Sequence, residues 1–383
     1  MKRIINAYGT NTRLSGGMMA PEVIAAMAEA ARSCFEMPDV QAAASRAIVD
    51  ATGAEAGIVT AGAAAALMLG AAACIARLDP AAMNRLPDTD GLPDEFIVSR
   101  SQRNMYDRAL RVAGGRIIEV GIPDRLSGPG VRDASAGEIA DAITPRTAAV
   151  FHLAGEHAEP PLPDLVRVAH ARGIPVLVDA AAQLPPASNL RRFIADGADL
   201  VCFSGGKAIG GPQASGILCG RADLVSSALA QMLDLDLPEA QFVAPPEFAP
   251  LNQLRFLPHH GIGRVAKVGK EEVAGLVAAL RRFVAEVPTA RWMARLGALD
   301  VPGAVLVPDG AKPGLPLLEL RFADRAAAER ADAALRARDP AVHVDASRIR
   351  RGVLAVNPIA LDDADLAELA AALTACCGAA ARR

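Results

Sequence analysis

Three short stretches carry residues whose types and spacing could do chemistry together. In Phe203-Ser204-Gly205-Gly206-Lys207-Ala208-Ile209-Gly210-Gly211-Pro212 a lysine is flanked by four glycines just past an apolar run. Glycine permits close backbone approaches that other residues forbid. A lysine drawn out of water there loses its proton readily and can form a Schiff base. A glycine-rich surface loop with a solvated lysine has the same composition. Asp179, 28 residues before Lys207, closes the run Pro175-Val176-Leu177-Val178. An acid there can meet a ligand or cap the next helix. In Thr60-Ala61-Gly62-Ala63-Ala64, the small residues suit a plain strand-to-helix turn, or a cradle where unpaired helix N–H groups face an anion. Taken together, the three are the parts of a pyridoxal phosphate site. The phosphate goes to the helix N-terminus, the carboxylate to the pyridine nitrogen and the lysine to the aldehyde carbon.

Ligands of open α/β sheets sit beyond the C-terminal ends of the strands, so the surrounding elements decide whether the three stretches meet. Apolar patterning predicts helices at 19–32, 41–51, 63–77, 106–113, 162–172 and 190–196. Strands are predicted at 57–60, 96–99, 116–120, 148–153, 175–179, 200–204 and 216–219. These short strands show little alternation, as expected where helices cover both faces. The strand–helix order implies an α/β fold with a largely parallel sheet and right-handed crossovers. Pro238, Pro245, Pro246, Pro250 and Pro258 interrupt it, and a long helix over 270–287 follows. Strands at 305–307, 317–322 and 351–356 with helices at 325–338 and 362–374 form a small α+β domain. The expected division is an N-terminal arm at 1–20, a large cofactor-binding domain at 21–250, and a connector helix with a small C-terminal domain at 251–383.

Composition excludes several classes. Aromatics are only 3% of the 383 residues, so Ala, Val, Leu and Ile must build the core. The net charge is −3 and no basic block occurs, which argues against nucleic-acid binding. The apolar stretch 58–76 holds Thr60, Gly62 and Gly70, and reads as strand, turn and buried helix instead of a membrane span. Met1-Lys2-Arg3-Ile4 has no apolar region behind it, so no signal peptide is expected. Six cysteines without C-x-x-C spacing suit a reducing cytoplasm. His152, Glu156 and His157 miss the H-x-x-E-H spacing, and no metal site is expected.

The sequence resembles the fold type I pyridoxal-phosphate enzymes, and within them the selenocysteine synthase-like group that includes D-glucosaminate-6-phosphate ammonia-lyase. The stretches that carry it are INAYGTNTRLSGGMM (5–19), VTAGAAAALMLGAAAC (59–74), YDRALRVAGGRIIEVG (106–121), VDAAAQLPP (178–186), ADLVCFSGGKAIGGPQASGILCGRADLV (198–225) and GIGRVAKVGKEEVAGLVAAL (261–280). The resemblance implies an aspartate aminotransferase-like architecture: a three-layer large domain, a small C-terminal domain, and a homodimer or larger assembly. It implies Lys207 as the Schiff-base lysine and Asp179 as partner of the pyridine nitrogen. Gly62, Ala63 and Ser204 become phosphate contacts, with Ala64 in the same helix turn. Ala181 packs on one ring face and Gln102 stands on the other, where relatives often have histidine. Asn6, Thr12, Arg13, Arg264 and Lys267 become candidates for an anionic substrate. Tyr8 stands where many relatives have a small residue.

The reading that follows is a lyase performing α,β-elimination, of ammonia-lyase type, on a small amino acid or amino sugar acid through Lys207. Arg264, Arg13 or Arg348 would hold the carboxylate bidentately. His152, ending the strand 148–152, is expected at the same mouth, although a hydrogen-bonded structural histidine fits its position equally. The alternatives are a racemase, epimerase or aldol-type lyase on the same cofactor, and a non-catalytic binding protein that kept the fold.

Overall fold

The computed structural model describes residues 1–122, 134–156, 158–286 and 288–380. Eight strands come first: β1 (Ile4–Ala7), β2 (Ala56–Thr60), β3 (Glu95–Ser99), β4 (Arg116–Val120), β5 (Thr147–Leu153), β6 (Val176–Asp179), β7 (Leu200–Ser204) and β8 (Gly216–Gly220). Seven of them form one sheet in the order β2-β8-β7-β6-β5-β3-β4. Strands β4, β3, β5, β6 and β7 run parallel to one another. Only β8 is reversed, lying antiparallel to both β7 and β2. A parallel step needs a long crossover, usually a helix, whereas an antiparallel one can be joined by a loop. That is why β7 and β8 are linked by the loop 205–215, which carries Lys207.

The sheet is apolar because helices cover it. All residues of β2, β3 and β8 are buried. The helix Ala63–Ala76 is buried at every residue from Ala65 onward, the signature of a helix inside a protein. Its Gly70 lies on the sheet so closely that a Cβ would stand 3.1 Å from Leu177 Cδ1. Leu177 therefore faces this helix, and so does Asp179 two residues on.

The remaining strands are β9 (Val305–Lys312), β10 (Leu315–Arg321), β11 (Ala341–Val344) and β12 (Val353–Val356). An antiparallel sheet runs β12-β10-β9, while β11 pairs in parallel with β1. Ile5 and Ala7 are fully buried in a second core with Leu320, Leu335, Val342 and Leu354. The segment expected as an arm thus contributes a strand to the core of the last hundred residues. A four-residue strand offers too little alternation to be read locally. Other elements also escaped the pattern: helices Pro80–Arg85, Ala136–Asp141 and Pro288–Gly297, and β11 itself. The helix expected at 106–113 begins as a 3₁₀ turn, Met105–Asp107, before Arg108–Val112. The long helix ends at Ala285, and Val287 lies outside the described residues.

Candidate active site

The loop 205–215 folds back on itself, and its glycines are there for that packing. A Cβ on Gly205 would stand 2.2 Å from Ser215 Oγ, and one on Gly206 2.7 Å from Gln213 Cα. The Gly205 N–H donates to Ser215 O at 2.9 Å, and the Gly211 N–H to Gly205 O at 2.9 Å. Lys207 is held half-buried on this tight loop. Burial pushes its amine below the ordinary lysine range, against the pull of the Asp179 charge.

Asp179 ends the neighbouring strand and is buried. Its Oδ1 accepts the Ala181 N–H at 3.0 Å, and Cys202 Sγ approaches the same oxygen at 3.6 Å. Among the described residues both contacts fall on Oδ1, which leaves Oδ2 for another partner. Burial pushes the carboxyl up, opposed by the Ala181 amide, the Cys202 thiol and the Lys207 charge.

The third stretch joins these two through the sheet register. Ser204, Gly216 and Thr60 lie side by side across β7, β8 and β2. A Cβ on Gly216 would stand 2.5 Å from the Gly62 carbonyl carbon, so glycine lets the turn before the helix rest on the lysine loop. Gly62 has φ +90° and provides no side-chain cap for the helix Ala63–Ala76. Thr60 Oγ1 donates to its carbonyl at 3.0 Å. A Cβ on Gly62 would meet nothing within 4 Å, so open space stands over the helix N-terminus, where the first-turn N–H groups lack intrahelical acceptors. Open space with unspent donors, a free carboxylate oxygen and an amine of lowered proton affinity form a donor set that fits pyridoxal phosphate.

The other expected residues divide. Gln102 is buried and tied down: Oε1 accepts the Leu153 N–H at 2.9 Å and Nε2 donates to Glu159 O at 3.0 Å. Leu153 is the register partner of Asp179, so the amide is anchored to the strand that runs beside the acid's own. His152 is a correction. It pairs with Val178 instead of Asp179, and alternation turns it to the opposite face of the sheet. There its Nδ1 lies 3.5 Å from Gln102 Nε2, and burial pushes its pKa down to about 4. His157 lies outside the described residues.

The Asn6 amide ties up the N-terminal loop. It donates to Gly9 O at 3.0 Å and Gly16 O at 2.8 Å, and accepts the Tyr8 N–H at 3.1 Å. Thr12 Oγ1 accepts from Gln213 Nε2 at 3.0 Å, which brings this loop against the lysine loop with half-buried Tyr8. Arg13 is exposed. Arg264 and Lys267 line a separate cavity of about 340 Å³ with Gln41, Met232 and Asp234, and Arg264 pairs with Asp234 at 3.0 Å. Neither Lys207 nor Asp179 lines that cavity. Arg348 binds Glu319 through Nη1 at 2.5 Å, while its buried Nη2 has no partner among the described residues.

Sequence reasoning missed Cys202, Gln213 and Lys312. Lys312 Nζ donates to Ala182 O at 2.7 Å and also to Leu184 O. Cys202 sits inside the apolar run of β7, where nothing in its neighbourhood marks it. The lysine reaches its partners across about 130 residues of chain, a relation with no local signal.

Solved structures place this architecture among the fold type I pyridoxal-phosphate-dependent enzymes. Over 100% of this chain and 97% of the other, it matches a structure of D-glucosaminate-6-phosphate ammonia-lyase with TM-score 0.80 and 28% identity. Serine palmitoyltransferase from S. paucimobilis, at TM-score 0.55 and 15% identity over 100% and 89% of the two chains, shares the fold alone. Sequence comparison is narrower. A family model described as L-seryl-tRNA selenium transferase matches residues 97–237. The chain is 32% identical to 5'-C-glycyluridine monooxygenase-decarboxylase of a Streptomyces species, over 94% of this chain and 86% of that protein. It is 31% identical to D-glucosaminate-6-phosphate ammonia lyase of Salmonella typhimurium, over 74% and 68%. The chain belongs to the selenocysteine synthase-like group of pyridoxal-phosphate-dependent enzymes. Among the described residues no helix is long and apolar enough to cross a membrane.

Proposed function

We propose that this enzyme is a pyridoxal-phosphate-dependent lyase. It would remove a β-leaving group and then ammonia from a small amino acid or amino sugar acid, leaving a 2-oxo acid. The observation that carries this reading is the meeting of Lys207 and Asp179 at the ends of neighbouring strands, with the glycine-opened helix N-terminus in the same row. The likeness to D-glucosaminate-6-phosphate ammonia lyase supports the reaction type. Pyridoxal phosphate, when bound, supplies an electron sink for charge developing at the substrate Cα.

The residues then have distinct tasks. Asp179 Oδ2 would keep the pyridine nitrogen protonated. The N–H groups of Ala63 and Ala64 and the Ser204 hydroxyl would hold the phosphate at the helix end freed by Gly62. Ala181 would flank one face of the ring and Gln102 the other. Lys207 Nζ would anchor the aldehyde carbon. Once released by the substrate amine, it would take the Cα proton, a task suited to an amine of lowered proton affinity. Arg348 Nη2 would meet the substrate carboxylate.

A second reading, decarboxylation with uptake of oxygen, is favoured by the likeness to the Streptomyces monooxygenase-decarboxylase over nearly the whole chain. Amino acids, amino sugar acids and glycyl-nucleosides supplied to the enzyme, with ammonia, 2-oxo acid, carbon dioxide and oxygen followed together, separate the two. Release of ammonia and 2-oxo acid without oxygen uptake supports the lyase. Oxygen consumption with carbon dioxide release replaces it by the second reading, and inversion of configuration without ammonia replaces both.

A further inference from the structure

The segment that follows Asp179 is short of donors of its own. It reads Ala182-Gln183-Leu184-Pro185-Pro186, and proline has no backbone N–H. A carbonyl in a turn takes its bond from the N–H three or four residues on. For Ala182 those residues are Pro185 and Pro186, so its carbonyl has no local partner. The donor comes from a hairpin about 130 residues further along the chain. Strands β9 and β10 turn at Pro313-Gly314, with Gly314 at φ +77°, a conformation glycine adopts without strain. Lys312, just before the turn, places Nζ 2.7 Å from Ala182 O and also against Leu184 O. The tip seats beside them: a Cβ on Gly314 would stand 3.8 Å from Pro185 Cβ, and Thr289 Oγ1 donates to Gly314 O at 2.8 Å. A second tie comes from Gln183, whose Nε2 donates to Ala154 O at 2.7 Å, while the Ala154 N–H donates to Asp179 O at 2.9 Å. Within the turn, the Gln183 N–H donates to Ala180 O at 3.0 Å.

We propose that Lys312 is a positioning residue for the cofactor ring: its Nζ, bound to Ala182 O and Leu184 O, fixes the turn that carries Ala181. The inference rests on the functional reading above, which sets Asp179 at the ring nitrogen and Ala181 on one ring face. An ammonium suits the task. It has three N–H donors and can hold two carbonyls at once, and charged donors make stronger bonds than neutral ones. Asp179 itself is held by the sheet, in register with Leu153 on one side and Cys202 on the other. Ala181 lies past the end of β6 and has no such support. Its place depends on the ties that follow it, Gln183 to the Ala154 carbonyl and Lys312 to the carbonyls of Ala182 and Leu184. Loss of Lys312 therefore frees the ring platform while leaving the acid in place.

Two measurements test this. In the cofactor-free protein, hydrogen–deuterium exchange of peptides covering residues 180–187 should be about tenfold faster in Lys312→Met than in wild type, the scale of one lost charge-assisted hydrogen bond. In the protein loaded with pyridoxal phosphate, the same variant should release the cofactor with a dissociation constant raised by about tenfold. Its visible circular dichroism per bound cofactor should also be smaller, because that signal reports how the ring is held. Lys312→Arg, whose guanidinium can serve both carbonyls, should return exchange, affinity and dichroism close to wild type. Lys312→Gln keeps one donor, should fall between Met and Arg, and covers the case in which Met disturbs folding. Unchanged exchange in Met and Gln overturns the inference, because the turn would then be held without the lysine. Faster exchange with unchanged affinity and dichroism overturns it too, since Lys312 would then serve the fold alone. A wild-type protein that takes up no pyridoxal phosphate overturns the functional reading, and the positioning role with it.

Discussion

The sulfur of Cys202 lies 3.6 Å from Asp179 Oδ1, at the strand position directly opposite it in the sheet. The thiol is completely buried, and burial and the adjacent carboxylate push it far above its ordinary range. It therefore stays protonated and acts as a weak donor to the acid. Cys202→Ala should remove that donor and raise the Asp179 carboxyl further. The acid limb of the activity profile should move to higher pH, with a loss at neutral pH of only a few-fold, about 1 kcal/mol or less, the scale of one weak hydrogen bond. Cys202→Ser, with a better donor in nearly the same place, should restore the limb. An unchanged limb in the Ala variant would show that the sulfur only fills space.

Asp179 itself should show opposite effects on stability and activity. Its carboxyl is raised by burial, so between the ordinary carboxylate pKa and the raised value the folded state binds more protons than the unfolded chain. Stability contributed there falls as pH rises. Asp179→Asn removes the buried charge, and the cofactor-free protein should melt at a higher temperature than wild type at neutral pH. Activity should fall by about 10²–10³ or more, as when a preorganised group facing developing charge is lost. Thermal melts and kcat on the same preparations check both. A variant that loses stability and keeps its activity would show that the acid is structural.

The difference between what could and could not be read beforehand follows from sequence distance. Asp179 and Lys207 were legible because each ends a buried apolar strand, and strand ends converge wherever such strands are parallel. The glycines around Lys207 announced a tight loop, although their task is packing against Ser215 and Gln213. His152 was misplaced by one step of register, which in a strand reverses the face. Ile5 and Lys312 were illegible for another reason. One pairs β1 with a strand more than 300 residues away and the other reaches carbonyls about 130 residues away, and neither contact leaves a pattern in its own neighbourhood.

His152 gives a prediction with the opposite sign to Asp179. Its pKa falls from 6.5 to about 4 by burial, so the unfolded chain binds more protons between those values. Stability is then lost as pH falls through that window, by about 3 kcal/mol in all. Urea melts at pH 7 and near pH 4 should show this loss in wild type, and His152→Gln should remove most of it. Because His152 lies on the face away from Asp179, the variant should keep kcat within a few-fold at pH 7. A large fall in kcat would return His152 to the reacting centre.

Gln102 offers the sharpest separation between scaffold and chemistry. Its buried amide ties together two backbone groups, the Leu153 N–H and the Glu159 carbonyl, on two different segments. Gln102→Ala removes the acceptor of the Leu153 N–H, while the Glu159 carbonyl keeps the Ser99 hydroxyl at 3.0 Å, and an unsatisfied buried group costs about 1–3 kcal/mol. Cofactor-free protein should therefore already be destabilised by that amount in urea melts, before any ring is present to stack on. The same variant should also hold pyridoxal phosphate less tightly, because Leu153 is the register neighbour of Asp179 and a loosened strand end lets the acid move. If cofactor retention falls while the cofactor-free protein is as stable as wild type, the amide acts on the ring and the clamp is incidental. If stability falls and retention does not, the clamp is all that Gln102 provides.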